Sequence, residues 1–183
     1  MKKAIATIGL PAAGKGLFSE VASSFGIPVF VCGDVVREET RKRGLPLTLS
    51  NTGMIMLRIR EESGPAVIAK RLIPKIDASD CSVVIVEGVR NLEEIEELRS
   101  HYGNVTLVGI HSSPQTRFER LTSRGREDDP STWQEFESRD RRDLNVGVGQ
   151  AIALADEMIV NEGTIEELQN IARALIQWVL PCE

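Results

Sequence analysis

The sequence predicts an α/β fold with a mostly parallel sheet, and two observations carry this prediction. Short runs rich in β-branched residues alternate with longer amphipathic segments, as expected when crossover helices join parallel strands. One such run, Ser82–Glu87, reads SVVIVE and is almost wholly apolar, which is typical of a strand buried on both faces of a sheet. We therefore expect one domain over residues 1–183, with helices flanking a five-stranded sheet.

The individual elements follow from their periodicity and their end signals. Strand patterns occupy Ala4–Leu10, Ile27–Cys32, Ser82–Glu87, Asn104–Ile110 and Glu157–Val160. Helical patterns occupy Gly14–Phe25, Asp34–Arg43, Asn51–Glu62, Pro65–Ile76, Leu92–Leu98, Pro114–Ser123, Ser131–Asp143 and the segment from Thr164 onward. Pro65 suits a first helical turn, where its missing N–H costs nothing. Thr164 and Glu167 form a T-x-x-E capping box for the last helix.

The composition excludes several classes of protein. The formal net charge is −5, which argues against a general nucleic-acid binder because such proteins carry a basic surface. Arg outnumbers Lys by 16 to 6, a bias that suits an anionic substrate because the guanidinium fork binds phosphate bidentately. The cysteines are Cys32, Cys81 and Cys182, without CxxC spacing, so we expect neither a disulfide framework nor a zinc site.

The N-terminal region does not have the features of a membrane or secretion signal. No apolar run approaches the roughly 18–20 residues that a membrane span needs. The chain opens with two lysines and a short apolar stretch, Ala4–Leu10, but the Gly/Lys-rich segment that follows is no cleavage site. We interpret this stretch as the first strand and expect a cytoplasmic protein without a membrane partner.

A phosphate-binding loop follows the first predicted strand. Gly9–Lys15 satisfies G-x-x-x-x-G-K and lies between a strand and a helix, as that motif requires. In such a loop, backbone N–H groups and the helix dipole bind phosphate oxygens, and the lysine reaches the β- and γ-phosphates. We expect the donor nucleotide to be bound by Gly9, Leu10, Pro11, Ala12, Ala13, Gly14, Lys15, Gly16 and Leu17.

One position of this loop departs from the usual pattern. The lysine is ordinarily followed by Ser or Thr, whose hydroxyl binds Mg²⁺, whereas here Gly16 and Leu17 follow it. The nearest hydroxyl, that of Ser19, is expected to point away from the phosphates. Magnesium binding is therefore expected to depend on water and carboxylates.

Further polar residues follow the other strands. Lys15, Asp34 and Glu87 each come after one of the first three strands, and ligands of a parallel sheet gather at the carboxyl ends of strands. We expect these side chains to meet at one edge. Phosphoryl transfer needs positioning, magnesium and cations around the developing charge, and several arginines follow the same strands.

Three stretches resemble the nucleoside monophosphate kinases, adenylate kinase above all. Cys32–Arg37 resembles that family's T-G-D-x-x-R, and Glu87–Arg90 resembles its D-G-x-x-R. Arg120–Asp129 is similar to the lid, and Asn161–Thr164 resembles the loop that lies against the donor adenine. The motifs occur in family order, and the chain looks closest to an archaeal branch of adenylate-kinase-like P-loop proteins.

The resemblance implies a three-layer P-loop kinase fold, with an acceptor-side helical segment at about 34–76 and a short lid loop within about 124–142. It implies a kinase that uses ATP and Mg²⁺ to phosphorylate a nucleotide-like phosphorylated acceptor. The implied catalytic residues are Lys15, Arg124, Arg126 and Arg139. The implied acceptor-binding residues are Asp34, Arg37 and Arg90, and Glu87 and Asp34 would hold hydrated Mg²⁺.

The chain also departs from that family. Glu87 replaces an aspartate, and Glu94 stands where a glutamine reads the acceptor adenine, so the identity of the acceptor stays open. We interpret Glu93, Glu94, Glu96 and Glu97 as a solvated helix face, and His101 and His111 as structural or surface residues.

Two other functions remain open from the sequence. Ala155-Asp156 and Asn161–Thr164 are compatible with a dephospho-CoA kinase. Leu17, in place of a hydroxyl, is compatible with a nucleotide-binding regulatory switch that has little kinase activity. The sequence does not indicate an oligomeric state.

Overall fold

The computed structural model describes residues 2–126 and 128–179. Glu127 of the predicted lid and Cys182 lie outside the described residues.

Within residues 2–126 and 128–179, the central sheet has five strands, all parallel. They are β1 (Lys3–Ile8), β2 (Val29–Val31), β3 (Val83–Val89), β4 (Asn104–His111) and β5 (Glu157–Val160). Their order across the sheet is β2-β3-β1-β4-β5, so β1 lies in the centre and its carboxyl end is flanked by those of β3 and β4. The predicted five-stranded parallel sheet is confirmed.

Helices connect the strands and cover both faces of the sheet. They are α1 (Lys15–Ser24), α2 (Cys32–Lys42), α3 (Leu49–Ser63), α4 (Val67–Asp77), α5 (Leu92–Tyr102), α6 (Pro114–Arg124), α7 (Trp133–Val146), α8 (Val148–Ala153) and α9 (Ile165–Val179). The capping box at Thr164 and Glu167 is present, with Glu167 N donating to Thr164 Oγ1 at 3.2 Å and Thr164 N donating to Glu167 Oε2 at 2.8 Å.

The alternation of side chains along β1 divides the core into two parts. Ala4, Ala6 and Ile8 face a cluster formed with α2, α3, α4, α5 and α8, whereas Ile5 faces a cluster formed with α1 and α9. Period-two alternation in a strand places successive residues on opposite faces, so one strand serves both cores. The result is the three-layer arrangement that the motifs implied.

Three elements differ from the sequence prediction. Cys32 begins α2 and does not belong to β2, which ends at Val31. Pro65 lies in a turn before α4, which begins at Val67. Helix α8 was not predicted because Gly147 and Gly149 weaken its helical pattern, but its buried Val148 and Ala151 pack against the sheet.

Within the part of the chain that the structure describes, no helix is long and apolar enough to cross a membrane.

Candidate functional site

The loop between β1 and α1 closes around the side chain of Lys15. Lys15 Nζ donates to the carbonyl oxygens of Gly9 at 2.7 Å and Leu10 at 3.0 Å. The loop turns through two left-handed residues, Ala12 at φ 62° and Gly14 at φ 119°, and Gly14 directly precedes α1. The loop thus presents its backbone at a helix N-terminus, which is the arrangement that binds phosphate.

Glycine is required at position 9 because the neighbouring strand approaches it closely. A Cβ atom at Gly9 would lie 2.3 Å from the carbonyl oxygen of Ile110 in β4. That oxygen belongs to the backbone of a central strand, so it cannot move aside cheaply. Gly9, the first glycine of the motif, therefore allows the loop to pack directly against the backbone of β4.

Polar side chains from two other connections hold the loop from outside. Asn161 Nδ2 donates to Ala13 O at 2.8 Å, and Ser112 Oγ donates to the same oxygen at 3.2 Å. Arg120 donates to Ala12 O at 3.4 Å and to Asn161 O at 3.2 Å. The segment that resembles an adenine-binding loop thus uses Asn161 to fix the backbone of the phosphate loop.

A cleft of about 840 Å³ opens from this loop, and most of the predicted site residues line it. Those that line it are Gly9, Pro11, Ala12, Gly14, Lys15, Gly16, Leu17, Asp34, Arg37, Glu87, Arg90, Arg124, Arg126 and Arg139. Leu10 and Ala13 do not line it, because their side chains pack against the two hydrophobic clusters. Ser19 also lines the cleft, although its hydroxyl is buried and has no hydrogen-bond partner among the described residues.

The electrostatic environment of Lys15 favours an incoming anion. The pKa of Lys15 is lowered to about 8, first by burial and then by the nearby Arg90, while Glu87 and Asp143 act in the opposite direction. A Cβ at Gly88 would make only an ordinary contact with Lys15 Cε, at 3.7 Å, so glycine is favoured there by the left-handed backbone, with φ 84°. A bound phosphate would relieve the desolvation and the repulsion that now act on the ammonium group.

Among the described residues, four carboxylates line the cleft, those of Glu20, Asp34, Glu87 and Asp128, and they fit magnesium only together with other ligands. Glu87 is half-buried near the end of β3, while Asp34 is exposed and accepts from Arg37 NH2 at 2.7 Å. Among the described residues, no group of three or more His, Cys, Asp or Glu side chains could hold a metal ion. One or two carboxylates completed by substrate phosphates and water are what Mg²⁺ commonly uses. The residues present therefore fit a nucleotide-bound magnesium ion.

A smaller cavity of about 60 Å³ continues from the cleft between α2, α3 and α7. Three arginines, Arg37, Arg90 and Arg139, line both spaces. The walls of the smaller cavity also include Thr52 and Gly53 of α3. We call this space the inner cavity; it meets the phosphate-loop cleft at the three arginines.

Arg90 is held by residues that the motif does not include. Its guanidinium forms an ion pair with Asp143 of α7, whose side chain is buried. Its main-chain N–H donates to Glu94 Oε2 at 2.7 Å, and Glu94 Oε1 accepts from Arg60 NH2 at 2.5 Å.

The environment of Glu94 corrects one sequence-based interpretation. Glu94 is fully buried, so the interpretation that it belongs to a solvated face is wrong. Burial raises the pKa of its carboxyl, and Arg60 opposes that rise. The carboxylate already accepts from Arg60 and from the Arg90 amide, and it is therefore not free to read a base.

The lid residues interact with one another. Arg124 contacts Asp129 at 2.9 Å through Nε and at 2.5 Å through NH2, and Arg139 NH1 contacts the same carboxylate at 3.3 Å. These ion pairs, with Arg124 contributing most, lower the pKa of Asp129 despite its burial. Arg37 NH1 lies 3.8 Å from Asp128. The lid aspartates thus form ion pairs with arginines that the motifs assign to phosphate binding.

The base of the lid is anchored by an aromatic and ionic cluster. Arg117 is buried, pairs with Asp140 at 2.5 Å and lies 4.9 Å from the ring centroid of Phe136. Phe118 and Trp133 stack edge to face at 5.2 Å, and Trp133 stays partly exposed. This cluster joins α6 to α7 on either side of the lid loop.

The two histidines that the sequence indicates as structural or surface residues lie on the surface, and Asp156, which is compatible with a dephospho-CoA kinase, has structural partners. His101 is exposed and contacts Asp77 at 3.0 Å, and His111 is exposed. Asp156 accepts from Arg99 and from the amide of Leu107, both at 2.7 Å, so it supports the pairing of β5 with β4.

Sequence reasoning assigned no role to several residues of the site. They are Asp128, Asp129, Asp143 and the pair Gly53 and Arg142. The aspartates stand within acid–arginine runs, R-E-D-D and R-D-R-R-D, and such runs can indicate local ion pairs. Nothing in the sequence indicates that Gly53 faces Arg142, which is far from it along the chain.

Comparison with known proteins identifies relatives over nearly the whole chain. A family described as an AAA domain matches residues 8–137. The UPF0200 protein of Hyperthermus butylicus is 46% identical over 172 residues, covering 94% of this chain and 92% of that protein. The UPF0200 protein of Methanocaldococcus jannaschii is 46% identical over 178 residues, covering 96% and 90%. Both relatives are archaeal, in agreement with the branch that the motifs indicated.

Solved structures share the fold at low sequence identity. TT1252 from Thermus thermophilus has a TM-score of 0.68 at 17% identity and covers 98% of this chain and 99% of its own. A gluconokinase from Sinorhizobium meliloti has a TM-score of 0.59 at 18% identity, covering 97% and 93%. The shikimate kinase from Aquifex aeolicus has a TM-score of 0.52 at 20% identity, covering 96% of each chain. These similarities establish a P-loop kinase-like fold.

Proposed function

Because the chain belongs to the family described as an AAA domain and to the archaeal UPF0200 proteins, with a P-loop kinase-like fold, we propose that it is an ATP- and Mg²⁺-dependent kinase. Its reaction is transfer of the γ-phosphoryl group of ATP to a phosphorylated acceptor. Nucleotides are the first class of acceptor to test.

One observation carries this proposal: the phosphate-loop cleft and the inner cavity meet at three arginines. Arg37, Arg90 and Arg139 line both spaces, so a donor in one and an acceptor in the other would face each other across guanidinium groups. Catalysis of phosphoryl transfer consists mainly of positioning two substrates and stabilising the charge between them. The three arginines between the cleft and the inner cavity are suited to position both substrates and to stabilise the charge between them.

On the donor side, the loop and Lys15 bind the triphosphate. Lys15 exchanges its contacts with the Gly9 and Leu10 carbonyls for the β- and γ-phosphates, and the phosphates restore the solvation that burial removes from its ammonium group. Glu87, with Asp34 nearby, is suited to hold water molecules of the magnesium shell. When bound with the nucleotide, Mg²⁺ would neutralise part of the charge of the phosphates.

On the acceptor side, the arginines hold a phosphate whose oxygen attacks. That oxygen forms a bond to the γ-phosphorus while the bond to the β–γ bridging oxygen breaks, and ADP leaves with the electron pair. A phosphate monoester is largely ionised at neutral pH, so the attacking oxygen needs no general base. Arg124 and Arg126 line the cleft and neutralise the transferring group when the lid closes.

Phosphorus NMR of ATP turnover tests the proposal. The protein is incubated with ATP and Mg²⁺ against a panel of nucleoside monophosphates, dephospho-CoA, small phosphorylated carboxylates such as phosphoglycolate, and no acceptor, with Lys15→Ala as the control. We expect ADP and one phosphorylated product to form with one acceptor, and neither to form with Lys15→Ala, which removes the donor-binding ammonium group.

The other outcomes of this panel distinguish the alternatives. Turnover with dephospho-CoA alone identifies a dephospho-CoA kinase. ATP binding without transfer to any acceptor contradicts the kinase and favours the regulatory switch, which is supported by Leu17 at the cleft in place of a hydroxyl.

A further inference from the structure

We propose that Arg142 binds a second anionic group of the acceptor in the inner cavity. The acceptor is then a small molecule that carries one phosphate and, in addition, either a carboxylate or another phosphate. This inference rests on the proposed function, because it concerns the acceptor of the same transfer. It narrows that acceptor to a chemical class in which no nucleobase enters the cavity.

The position of Arg142 depends on a glycine in the facing helix. A Cβ atom at Gly53 would lie 2.2 Å from Arg142 NH1 and 2.5 Å from Arg142 Cζ. Gly53 lies inside α3, where glycine costs about 1 kcal/mol relative to alanine. The helical backbone does not require glycine there. Gly53 therefore provides the space that the Arg142 guanidinium occupies.

The guanidinium group of Arg142 has one buried nitrogen to which the described residues offer no hydrogen-bond acceptor. Its Nε is buried and has no hydrogen-bond partner among the described residues, while the adjacent Asp143 is engaged by Arg90. Burial lowers the pKa of Arg142, and Asp143 acts in the opposite direction. A guanidinium stays charged in proteins, so an anionic ligand group is the partner that offsets its desolvation.

Arg142 lies apart from the arginines that hold the attacking phosphate, so it is available for a second anionic group of the acceptor. Of the residues that the structure describes, four arginines and two aspartates line the inner cavity. Arg37, Arg90 and Arg139 lie at the junction, where the attacking phosphate is held. Arg142 lines the inner cavity and not the cleft, so it contacts a different part of the acceptor.

The size and lining of the inner cavity favour a small group over a base. Its volume of about 60 Å³ corresponds to roughly four to six water-sized positions. A carboxylate or phosphate fits that space, whereas a base with its sugar does not. None of the described residues that line it is aromatic, so none offers a ring for base stacking.

Calorimetric titration of matched ligands tests this inference. The protein is first saturated with Mg²⁺ and the non-hydrolysable ATP analogue AMP-PNP, which occupies the donor side. Phosphoglycolate, methyl phosphate and AMP are then titrated; the first two share a phosphate, and only phosphoglycolate adds a carboxylate. We expect phosphoglycolate to bind at least tenfold more tightly than methyl phosphate and AMP.

Variants assign this preference to Arg142. In Arg142→Met the tenfold preference disappears while the affinity for methyl phosphate is unchanged, and Gly53→Ala reduces the preference by displacing the guanidinium. Arg141→Met, an exposed neighbour on the same helix, retains it. If Arg142→Met fails to fold, as judged by its thermal transition, Gly53→Ala and Arg142→Lys provide the comparison.

The outcomes separate this inference from the function on which it rests. Equal affinities for phosphoglycolate and methyl phosphate, tightest binding of AMP, or a preference that survives removal of Arg142 would each overturn it and leave the kinase proposal standing. Absence of AMP-PNP binding would contradict the kinase proposal itself.

Discussion

At the scale of single residues, Lys15 is distinguished by its surroundings. Burial and Arg90 lower its pKa to about 8, well below its ordinary value near 10.5. The sequence identifies this lysine from the loop motif, but it does not show that Arg90, far along the chain, lies near enough to repel it. The lowered pKa of Lys15 therefore follows from the folded structure, and it should make nucleotide binding depend on pH.

We predict that nucleotide affinity falls as the pH rises above about 8. The phosphates need the ammonium form, and the free protein loses that proton in this range, so the Kd of AMP-PNP should rise about fivefold between pH 8 and pH 9. Titration calorimetry across this range measures the effect. In Lys15→Arg the guanidinium keeps its charge, and the Kd should stay level; a wild-type profile as flat as that of this variant would contradict the assignment.

Arg90 shows why an expected phosphate-binding residue can be a poor probe of binding. Its partner Asp143 is buried, and removal of one partner of a buried ion pair costs about 3–5 kcal/mol of stability. Arg90→Ala would thus combine a loss of stability with any loss of acceptor binding. Arg37 pairs with the exposed Asp34 and is the cleaner substitution.

At the scale of elements, the β1–loop–α1 unit is where sequence and structure agree most closely. Its glycines nevertheless differ in role: a Cβ at Gly9 would lie 2.3 Å from a backbone oxygen of β4, whereas one at Gly16 would meet nothing within 4 Å. The motif spacing does not indicate how strictly each position requires glycine, because the strict requirement comes from a strand far away in the chain.

We predict opposite effects on stability for the two corresponding alanine variants. Gly9→Ala should lower the free energy of unfolding by more than about 2 kcal/mol, because the backbone of β4 must shift. Gly16→Ala, on the exposed surface of α1, should leave it unchanged or raise it by up to about 1 kcal/mol. Urea denaturation measures both values. Equal losses in the two variants would contradict the close approach of β4 to the loop.

Other elements show where periodicity ceases to be informative. The buried strands and the amphipathic helices have strong patterns, and the sequence locates them to within a few residues. Helix α8 has a weak pattern because Gly147 and Gly149 interrupt it, and it forms through packing of Val148 and Ala151. Tertiary contacts outweigh local propensity in such a short helix.

At the scale of the whole molecule, the order of the motifs along the chain predicts which residues meet. The carboxyl ends of parallel strands share one edge, so Lys15, Asp34 and Glu87 line one cleft, as expected from sequence. The partners of the arginines could not be predicted, because Arg60 with Glu94 and Arg90 with Asp143 pair across long separations in sequence. Spacing along the chain carries no signal for such pairs.

We place the donor in the phosphate-loop cleft at Lys15 and the acceptor in the inner cavity, with the three arginines between them. Steady-state kinetics of Arg37→Ala, with the acceptor that the phosphorus NMR panel identifies, distinguishes the two binding positions. Arg41→Ala is the matched control, since Arg41 is exposed on the same helix and does not line the cleft.

We predict that Arg37→Ala raises the KM for the acceptor by about tenfold or more, the cost of a lost charge-assisted hydrogen bond, while the KM for ATP changes less than about threefold. Arg41→Ala should match the wild type in both constants. An equal rise in both KM values for Arg37→Ala, or no rise in either, would contradict the placement of the donor in the cleft and of the acceptor in the inner cavity.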